Sequence, residues 1–169
     1  MNPDEPVRIV AYDPEWPVRF EAERAALEEA IGEWVVGGIH HVGSTAIPGI
    51  AAKPTIDILA GVRDLASSRV CIEQLARLDY LYAPYRAGEM HWFCKPSRRR
   101  RAFHLNLVPE ASPAHAARLA FRDRLRADPA LAAEYESLKR RLAARFPDDR
   151  EAYTEAKAGF VEAVCAEGR

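Results

Sequence analysis

The first apolar pattern along the chain has the period of a helix. At about 3.6 residues per turn, one face of residues 14–31 collects the side chains of Trp16, Phe20, Leu27 and Ile31. Asp13 is predicted to cap this helix, with Pro14 in its first turn and Gly32 at its end. The preceding residues 7–12, VRIVAY, are predicted to form a short strand.

In the middle of the chain, apolar residues either alternate with polar ones or form short continuous runs, which predicts strands. Gly37 and Gly38 predict a bulge in the first of them. The second, PTIDILAGV, is mostly apolar, as expected at the centre of a covered sheet. Residues 64–78 are predicted to form a helix capped by Asp64. The predicted strands are residues 34–42, 54–62, 80–85, 90–95 and 102–108.

From residue 112 onward the pattern is helical. Asp128 and Pro129 are expected to separate two helices. The second of these carries an apolar stripe, Leu131, Tyr135, Leu138 and Leu142. After a turn near residue 148, a last helix runs to the C-terminus. Strands mixed with helices, followed by helices alone, predict one α+β domain over residues 1–169, with helices packed on a mixed sheet and a helical C-terminal segment.

Composition narrows the function classes. Lys and Arg (24) nearly balance Asp and Glu (25), so no global field favours nucleic acid, which is an unlikely partner. No apolar run is long enough to span a membrane, and the N-terminus lacks the order of a signal peptide. Three widely spaced cysteines form no disulfide framework. These features predict a cytoplasmic protein and leave its oligomeric state open.

The stretch HVGSTAIPGIAAKPTIDILAGV carries the first candidate chemistry. Gly43, Ser44 and Thr45 form a small turn whose backbone N–H and hydroxyl groups suit a phosphate, although a Gly-Ser pair alone is more typical of a plain turn. Asp57 follows on the predicted central strand. A buried carboxylate is costly unless it is paired, hydrogen-bonded or bound to a metal. Asp57 is therefore predicted to be a site residue, the alternative being a salt bridge with Lys53 or an arginine.

Strand alternation predicts which side chains can join Asp57. Phe103, Leu105 and Leu107 share one face of their strand, and His104 and Asn106 share the other. If this strand neighbours residues 54–62, then His104 and Asn106 converge with Asp57. Asp57 and His104 would then hold a divalent metal ion, Mg²⁺ or Mn²⁺, or His104 is a hydrogen-bonded structural histidine. Of the adjacent pair His40 and His41, only one can face the groove, and His41 is predicted to be that one.

Several cations offer contacts to an anion. The run Arg98–Arg101 is either a solvated hairpin tip or an anion-binding loop, in which Arg101 is nearest the strand of His104. Lys53 is placed to reach back over the loop toward a phosphate. Tyr153 and Lys157 lie near an apolar stripe of the last helix, where they either cover a packed face or line a second wall of the groove.

Taken together, VAYDPEWPVRFEAE, the stretch from His41 to Val62 and the C-terminal stretch FRDRLRADPALAAEYESLKRRLAARFPDDREAYTEAKAGFV resemble the GrpB family over nearly the whole chain. That family occurs alone in many bacteria and also fused to dephospho-CoA kinase. It is similar to the nucleotidyltransferase superfamily that includes DNA polymerase beta and the aminoglycoside nucleotidyltransferases. The superfamily pattern is Gly-Ser, two alternating carboxylates on a strand about ten residues later, and a third carboxylate on a later strand.

This resemblance implies that the chain has fewer carboxylates at the site than the superfamily pattern. Gly43 and Ser44 match the Gly-Ser pair, Asp57 matches the second carboxylate, and Thr55 stands in place of the first. The later strand offers His104 and Asn106 and no acid, and Asn106 also departs from the His-Leu-His that the family usually has there. The implied function is binding of a nucleotide or other phosphorylated small molecule, with metal-dependent transfer to a small acceptor. The alternatives are a non-catalytic accessory or binding module, and a fold reused for other small-molecule chemistry.

Overall fold

A five-stranded sheet lies at the centre of the structure, a computed structural model that describes residues 5–167. The order across the sheet is β1-β2-β5-β4-β3. Only the central pair, β2 and β5, is parallel, and every other neighbouring pair is antiparallel. The strands are β1 (Val35–Val42), β2 (Ile56–Val62), β3 (Leu81–Ala83), β4 (His91–Pro96) and β5 (Arg101–Pro109).

Helices cover both faces of this sheet. In chain order, α1 precedes β1 and α2 lies between β2 and β3, whereas α3, α4 and α5 follow β5. The prediction of an α+β domain with a helical C-terminal segment is confirmed. The helices are α1 (Glu15–Ile31), α2 (Cys71–Ala76), α3 (Pro113–Ala127), α4 (Pro129–Arg145) and α5 (Arg150–Glu167). No helix within residues 5–167 combines the length and apolar character needed to cross a bilayer.

The first face of the sheet holds the main core. The predicted stripe of α1, from Trp16 to Ile31, is buried, and Phe20, Leu27 and Ile31 pack against strand residues. Alternation places Phe103, Leu105 and Leu107 of β5 on this side, as predicted. A second cluster joins α3, α4 and α5 to Ile47 and Ile50 of the loop between β1 and β2. The loop that contains the Gly-Ser pair is therefore packed under the C-terminal helices.

Turn and cap chemistry follows the sequence at most boundaries. The Oδ1 of Asp13 accepts a hydrogen bond from the backbone N–H of Glu15 at 2.9 Å. Asp128 separates α3 from α4, and its side chain caps α4 by accepting from the N–H groups of Ala130 and Leu131. The register of β1 against β2 shifts between Val35 and Ile39, which confirms the bulge at the glycine pair.

Two predicted elements are wrong. Residues 7–12 form no strand; Val10 makes one isolated bridge with Ala52, because the chain turns into α1 before further pairs can form. Residues 64–78 do not form one helix. A 3₁₀ turn, Ser67–Val70, precedes the six-residue α2. Asp64 does cap the start of that turn, accepting from the N–H of Ser67 at 2.7 Å.

Candidate functional site

The parallel pairing of β2 with β5 brings Asp57 and His104 together. They are direct register partners, and they lie on the same face of the sheet. The Nδ1–H of His104 donates to Oδ1 of Asp57 at 2.9 Å. The convergence that alternation predicted is therefore present in the fold, while the chemical roles of the two residues stay predictions.

A glycine is required where the loop passes over Asp57. Gly43 has a φ of +73°, in the left-handed region that favours glycine. A Cβ at this position would collide with the Asp57 carboxylate, meeting Oδ2 first. The chain then makes a 3₁₀ turn over Ser44–Ala46, closed by the N–H of Ile47 on the carbonyl of Ser44 at 3.2 Å. The Gly-Ser turn is thus seated directly on the carboxylate.

A groove of about 500 Å³ opens around this pair, and we call it the Asp57 groove. Its walls come from the loop between β1 and β2, from strands β2, β4 and β5, and from α5. The sequence-predicted residues that line it are Ser44, Lys53, Thr55, Asp57, Arg101, His104, Tyr153 and Lys157. The sequence reasoning missed six further lining residues, Tyr85, Trp92, Arg150, Glu151, Thr154 and Glu155.

One of these missed residues had a signal in the sequence. Trp92 pairs with Asn106 across β4 and β5, so it shares the face of His104 once the hairpin register is known. The residues on α5 had no such signal, because their approach to the groove depends on how α5 docks. Tyr85 lies in the loop after β3, where periodicity gives no direction.

Four predicted site residues do not line the groove: Gly43, which lies against Asp57, and His41, Thr45 and Asn106. His41 pairs with Ile58 and lies on the opposite face of the sheet, stacked on Phe20 with ring centroids 4.8 Å apart. The prediction that His41 faces the groove is wrong, because its pairing with Ile58 places its side chain on the core face, opposite that of Asp57. Thr45 is buried and links His41 to the backbone, with its Oγ1 2.9 Å from Nε2 of His41 and 3.2 Å from the carbonyl of Thr55. Asn106 donates to the carbonyl of Ile58 at 3.4 Å.

Thr55 lines the groove, but its hydroxyl group is hydrogen-bonded to the backbone. Its Oγ1–H donates to the carbonyl of Arg101 at 2.8 Å. This bond ties the start of β2 to the start of β5. The residue that replaces the first carboxylate of the superfamily pattern thus has a structural bond of its own.

Burial and charge act in opposite directions on the Asp57–His104 pair. Burial opposes ionisation of Asp57, but the hydrogen bond from His104 and the charges of Lys53 and Lys157 outweigh it, so the pKa of Asp57 is lowered. Burial also lowers the pKa of His104, and Asp57 only partly offsets this. A neutral His104 that donates from Nδ1 has an accepting lone pair on Nε2. That Nε2 atom is buried and has no hydrogen-bond partner among the described residues.

Two lysines with lowered pKa values lie close to the loop, the half-buried Lys157 in the groove and the buried Lys139 beneath it. Burial, with Lys53 nearby, lowers the pKa of Lys157 to about 8, against the attraction of Asp57. The Nζ of Lys157 lies 4.2 Å from the ring centroid of Tyr153. Burial lowers the pKa of Lys139 to about 7, and its Nζ donates to the carbonyl of Ala51 at 2.6 Å. Lys157 therefore faces the groove, while Lys139 holds the loop from beneath.

The helices after β5 hold the end of β1 and the loop that follows it by their carbonyl groups. Arg122 donates to the carbonyl of His41 at 3.3 Å, and Arg126 donates to that of Ala46 at 2.9 Å. From α4, Glu136 accepts from the N–H of Ala51 at 2.9 Å, next to the bond from Lys139. Because these contacts satisfy the loop backbone on its outer side, the groove side of the turn is fixed in position.

The groove is lined by charges of both signs, and its cations outnumber its carboxylates. Four cations line it, Lys53, Arg101, Arg150 and Lys157, against the three carboxylates of Asp57, Glu151 and Glu155. The cations come from three separate parts of the chain: the loop before β2, the start of β5, and α5. The rest of the arginine run lies outside the lining; Arg98 holds the hairpin tip by accepting at its carbonyl from Nε of Arg101 at 2.7 Å.

The donor set fits one metal ion better than two. Within residues 5–167, no three His, Cys, Asp or Glu side chains are grouped to hold an ion. Asp57 supplies one hard carboxylate, and Nδ1 of His104 is bonded to it. Mg²⁺ commonly binds through one or two carboxylates and takes its other ligands from substrate phosphates and water. Asp57 could hold an ion in that manner, and a second ion would lack protein ligands.

Comparison with known proteins places the chain in one family. A family model described as GrpB protein matches residues 6–167. The chain is 35% identical over 166 residues to the glutamate-rich protein GrpB of Alkalihalophilus pseudofirmus, covering 95% of each. It is 33% identical to the UPF0157 protein YqkA of Bacillus subtilis, covering 96% of this chain and 47% of that protein. The chain thus spans about half of the length of YqkA.

Two further matches agree with this placement. The crystal structure of the conserved protein GrpB from Enterococcus faecalis superposes with a TM-score of 0.85 at 30% identity, covering 95% of this chain and 96% of that chain. A protein named dephospho-CoA kinase from Mycolicibacterium paratuberculosis is 30% identical over 177 residues, which is 90% of this chain and 43% of the kinase. The chain belongs to the GrpB family.

Proposed function

We propose that this protein binds a nucleotide or another phosphorylated small molecule in the Asp57 groove. The observation that carries the proposal is the convergence of Lys53, Arg101, Arg150 and Lys157 on one groove beside the Gly-Ser turn. Cations from separate segments can contact several oxygens of one phosphate chain at once. The relative named dephospho-CoA kinase supports a nucleotide-like ligand, since the chain matches 43% of that protein.

Transfer to a small acceptor is the proposed reaction. Ser44 and Lys53 would hold the phosphates, and Arg101 and Lys157 would offset their charge. The hydrogen-bonded pair of Asp57 and His104 would accept the proton of the acceptor hydroxyl. The acceptor oxygen would form a bond to phosphorus as the bond to the leaving phosphate breaks. A Mg²⁺ or Mn²⁺ ion on Asp57, when bound, would polarise the phosphate oxygens.

The second candidate is a binding or accessory module without turnover. Thr55 favours it, because the residue in the place of the first carboxylate is bonded to the carbonyl of Arg101. Two-metal transfer chemistry needs several carboxylates, and of the three carboxylates in the superfamily pattern only Asp57 is kept in this chain. A third candidate keeps the Asp57–His104 pair and applies it as a base to a different small molecule.

A ligand screen by thermal shift tests the proposal. ATP, GTP, CTP, UTP and coenzyme A are each added with and without Mg²⁺ and Mn²⁺. A bound ligand at about 100 times its Kd should raise Tm by roughly 5–10 °C. The shift should fall strongly in Lys157→Ala and in Asp57→Ala, each compared with its own unliganded Tm. Arg141→Ala, an exposed cation on α4, is the control and should keep the full shift.

The outcomes separate the candidates. If none of these ligands raises Tm with any of the ions, the phosphate-binding proposal is wrong. If a ligand binds and is released unchanged after long incubation with small alcohols and amines, as followed by mass spectrometry, the accessory module is favoured over transfer. A shift that needs Mg²⁺ or Mn²⁺ in wild type and loses this dependence in Asp57→Ala supports the ion on Asp57.

A further inference from the structure

One wall of the Asp57 groove is aromatic. Trp92 on β4 and Tyr85 in the loop after β3 both line it, with ring centroids 6.3 Å apart in an edge arrangement. Tyr85 is 53% exposed, and it is one of few large apolar side chains exposed in residues 5–167. Exposed aromatic side chains that border a cavity commonly mark a binding surface.

The aromatic wall adjoins the catalytic candidates. The ring of Trp92 lies 5.2 Å from that of His104, and His104 is bonded to Asp57. The guanidinium of Arg101 lies 5.4 Å from the centroid of Trp92. A path of contacts therefore leads from Tyr85 through Trp92 and His104 to Asp57, where Lys53 and Lys157 add their charge.

The groove thus has two chemically different ends. Lys53 and Lys157 act on Asp57 beside the Gly-Ser turn. The two aromatic rings lie on the other side of His104, where the guanidinium of Arg101 lies over the ring of Trp92. A ligand that fills both ends needs phosphate at one end and a flat apolar group at the other. Inorganic phosphates and sugar phosphates offer only the first, whereas a nucleotide offers both. The volume of about 500 Å³ lies in the ordinary range for small-molecule sites.

We propose that the ligand of the Asp57 groove carries a planar aromatic group of the nucleobase type, which stacks on Trp92 beside Tyr85. This inference rests on the phosphate binding proposed above, and it adds the part of the ligand that the cations do not contact. Base stacking on aromatic side chains tolerates different bases, because every base has a π-face. Trp92 and Tyr85 are therefore expected to favour nucleotides as a class rather than one base.

The test compares ligands that share a triphosphate and differ in the base. ATP, GTP, CTP, UTP and tripolyphosphate are titrated into wild type, Trp92→Phe and Trp92→Leu by calorimetry at fixed ionic strength. At least one nucleotide should bind wild type about tenfold or more tightly than tripolyphosphate. Trp92→Leu should remove most of this difference and leave the affinity for tripolyphosphate unchanged. Trp92→Phe, which keeps an aromatic face, should retain most of the difference.

A second readout uses the tryptophan itself. Nucleotide binding should quench part of the intrinsic fluorescence in wild type and not in Trp92→Phe. The other two tryptophans do not line the groove, since Trp16 is buried on α1 and Trp34 packs against the main core. Tyr85→Ala provides a variant at an exposed position in case Trp92→Leu does not fold, and it should also lower nucleotide affinity selectively.

The failures of the two proposals differ. If tripolyphosphate binds as tightly as every nucleotide, or if Trp92→Leu weakens both ligand types equally, the stacking inference is overturned and phosphate binding stands. If neither the nucleotides nor tripolyphosphate binds wild type, both proposals are wrong.

Discussion

Gly43 is the residue on which the geometry of the groove depends most directly. Its positive φ and its contact with Asp57 exclude any other side chain without local rearrangement. Gly49, six positions later, has a similar φ of +82° and open space where a Cβ would lie. Substituting each glycine in turn therefore distinguishes the free-energy cost of a positive φ from the additional cost of a collision with Asp57.

We expect Gly43→Ala to destabilise the fold more than Gly49→Ala. Both substitutions place alanine at positive φ, which costs about 1 kcal/mol. Gly43→Ala also forces a methyl group against the Asp57 carboxylate, which should add roughly 1–3 kcal/mol, as overpacking does. Urea unfolding of both variants measures the difference, and equal free energies of unfolding would contradict the close contact between the turn and Asp57.

Single residues also show the limit of pattern reasoning. Alternation correctly grouped His104 with the Asp57 face, because β2 and β5 are regular and in register. The prediction for His41, which lies two residues before the Gly-Ser turn, failed because pairing with Ile58 puts its side chain on the core face. Which face of β1 a histidine takes depends on the register with the partner strand, which the sequence of β1 does not give.

Among the elements, α3 and α4 act as a support for the loop between β1 and β2. Arg126 and Lys139 donate to two carbonyl groups of this loop, and Arg122 donates to that of His41 at the end of β1. No local pattern in the loop indicates these bonds, because the donors lie 80 to 88 residues later in the chain. The loop and the C-terminal helices are thus expected to open together.

Arg126→Leu should loosen the Gly-Ser turn without unfolding the domain. The carbonyl of buried Ala46 would lose its charged donor, and a buried acceptor without a partner costs about 1–3 kcal/mol. Amide exchange of Ala46 and Ile47, whose N–H groups close the turn, should therefore rise about tenfold or more.

Arg124→Leu is the matched control for this experiment. Arg124 lies on the same helix, but its Nη1 donates to the carbonyl of Val164 on α5 at 2.6 Å. It should leave exchange at Ala46 and Ile47 unchanged. Equal acceleration in both variants would mean that α3 stabilises the domain as a whole and not this turn.

For the whole molecule, the buried His41 links stability to pH. Burial is the main cause that lowers its pKa to about 4 from the ordinary 6.5. Between these values the unfolded chain binds a proton that the folded chain does not. The free energy of unfolding should therefore fall as pH decreases from about 6.5 to 4.

His41→Gln should remove this part of the acid sensitivity. A glutamine can still hydrogen-bond to Thr45 and does not titrate. Relative to the variant, wild type should lose about 3 kcal/mol more of its free energy of unfolding between pH 7 and pH 4. Urea unfolding at several pH values measures this, and parallel pH profiles of the two proteins would contradict it.

Local sequence was enough to predict most elements and the family. Hydrophobic periods and Asx caps placed α1, β1, β2, β4, β5 and the α3–α4 boundary, because these signals lie within a few residues of each element. Motif spacing marked Gly43, Ser44 and Asp57 as one unit. Which side chains share the groove follows only from tertiary packing. Strand register brings Trp92 to it, and the docking of α5 decides between the two positions that the sequence left open for Lys157. Such contacts join residues far apart in the chain, and no local pattern encodes them.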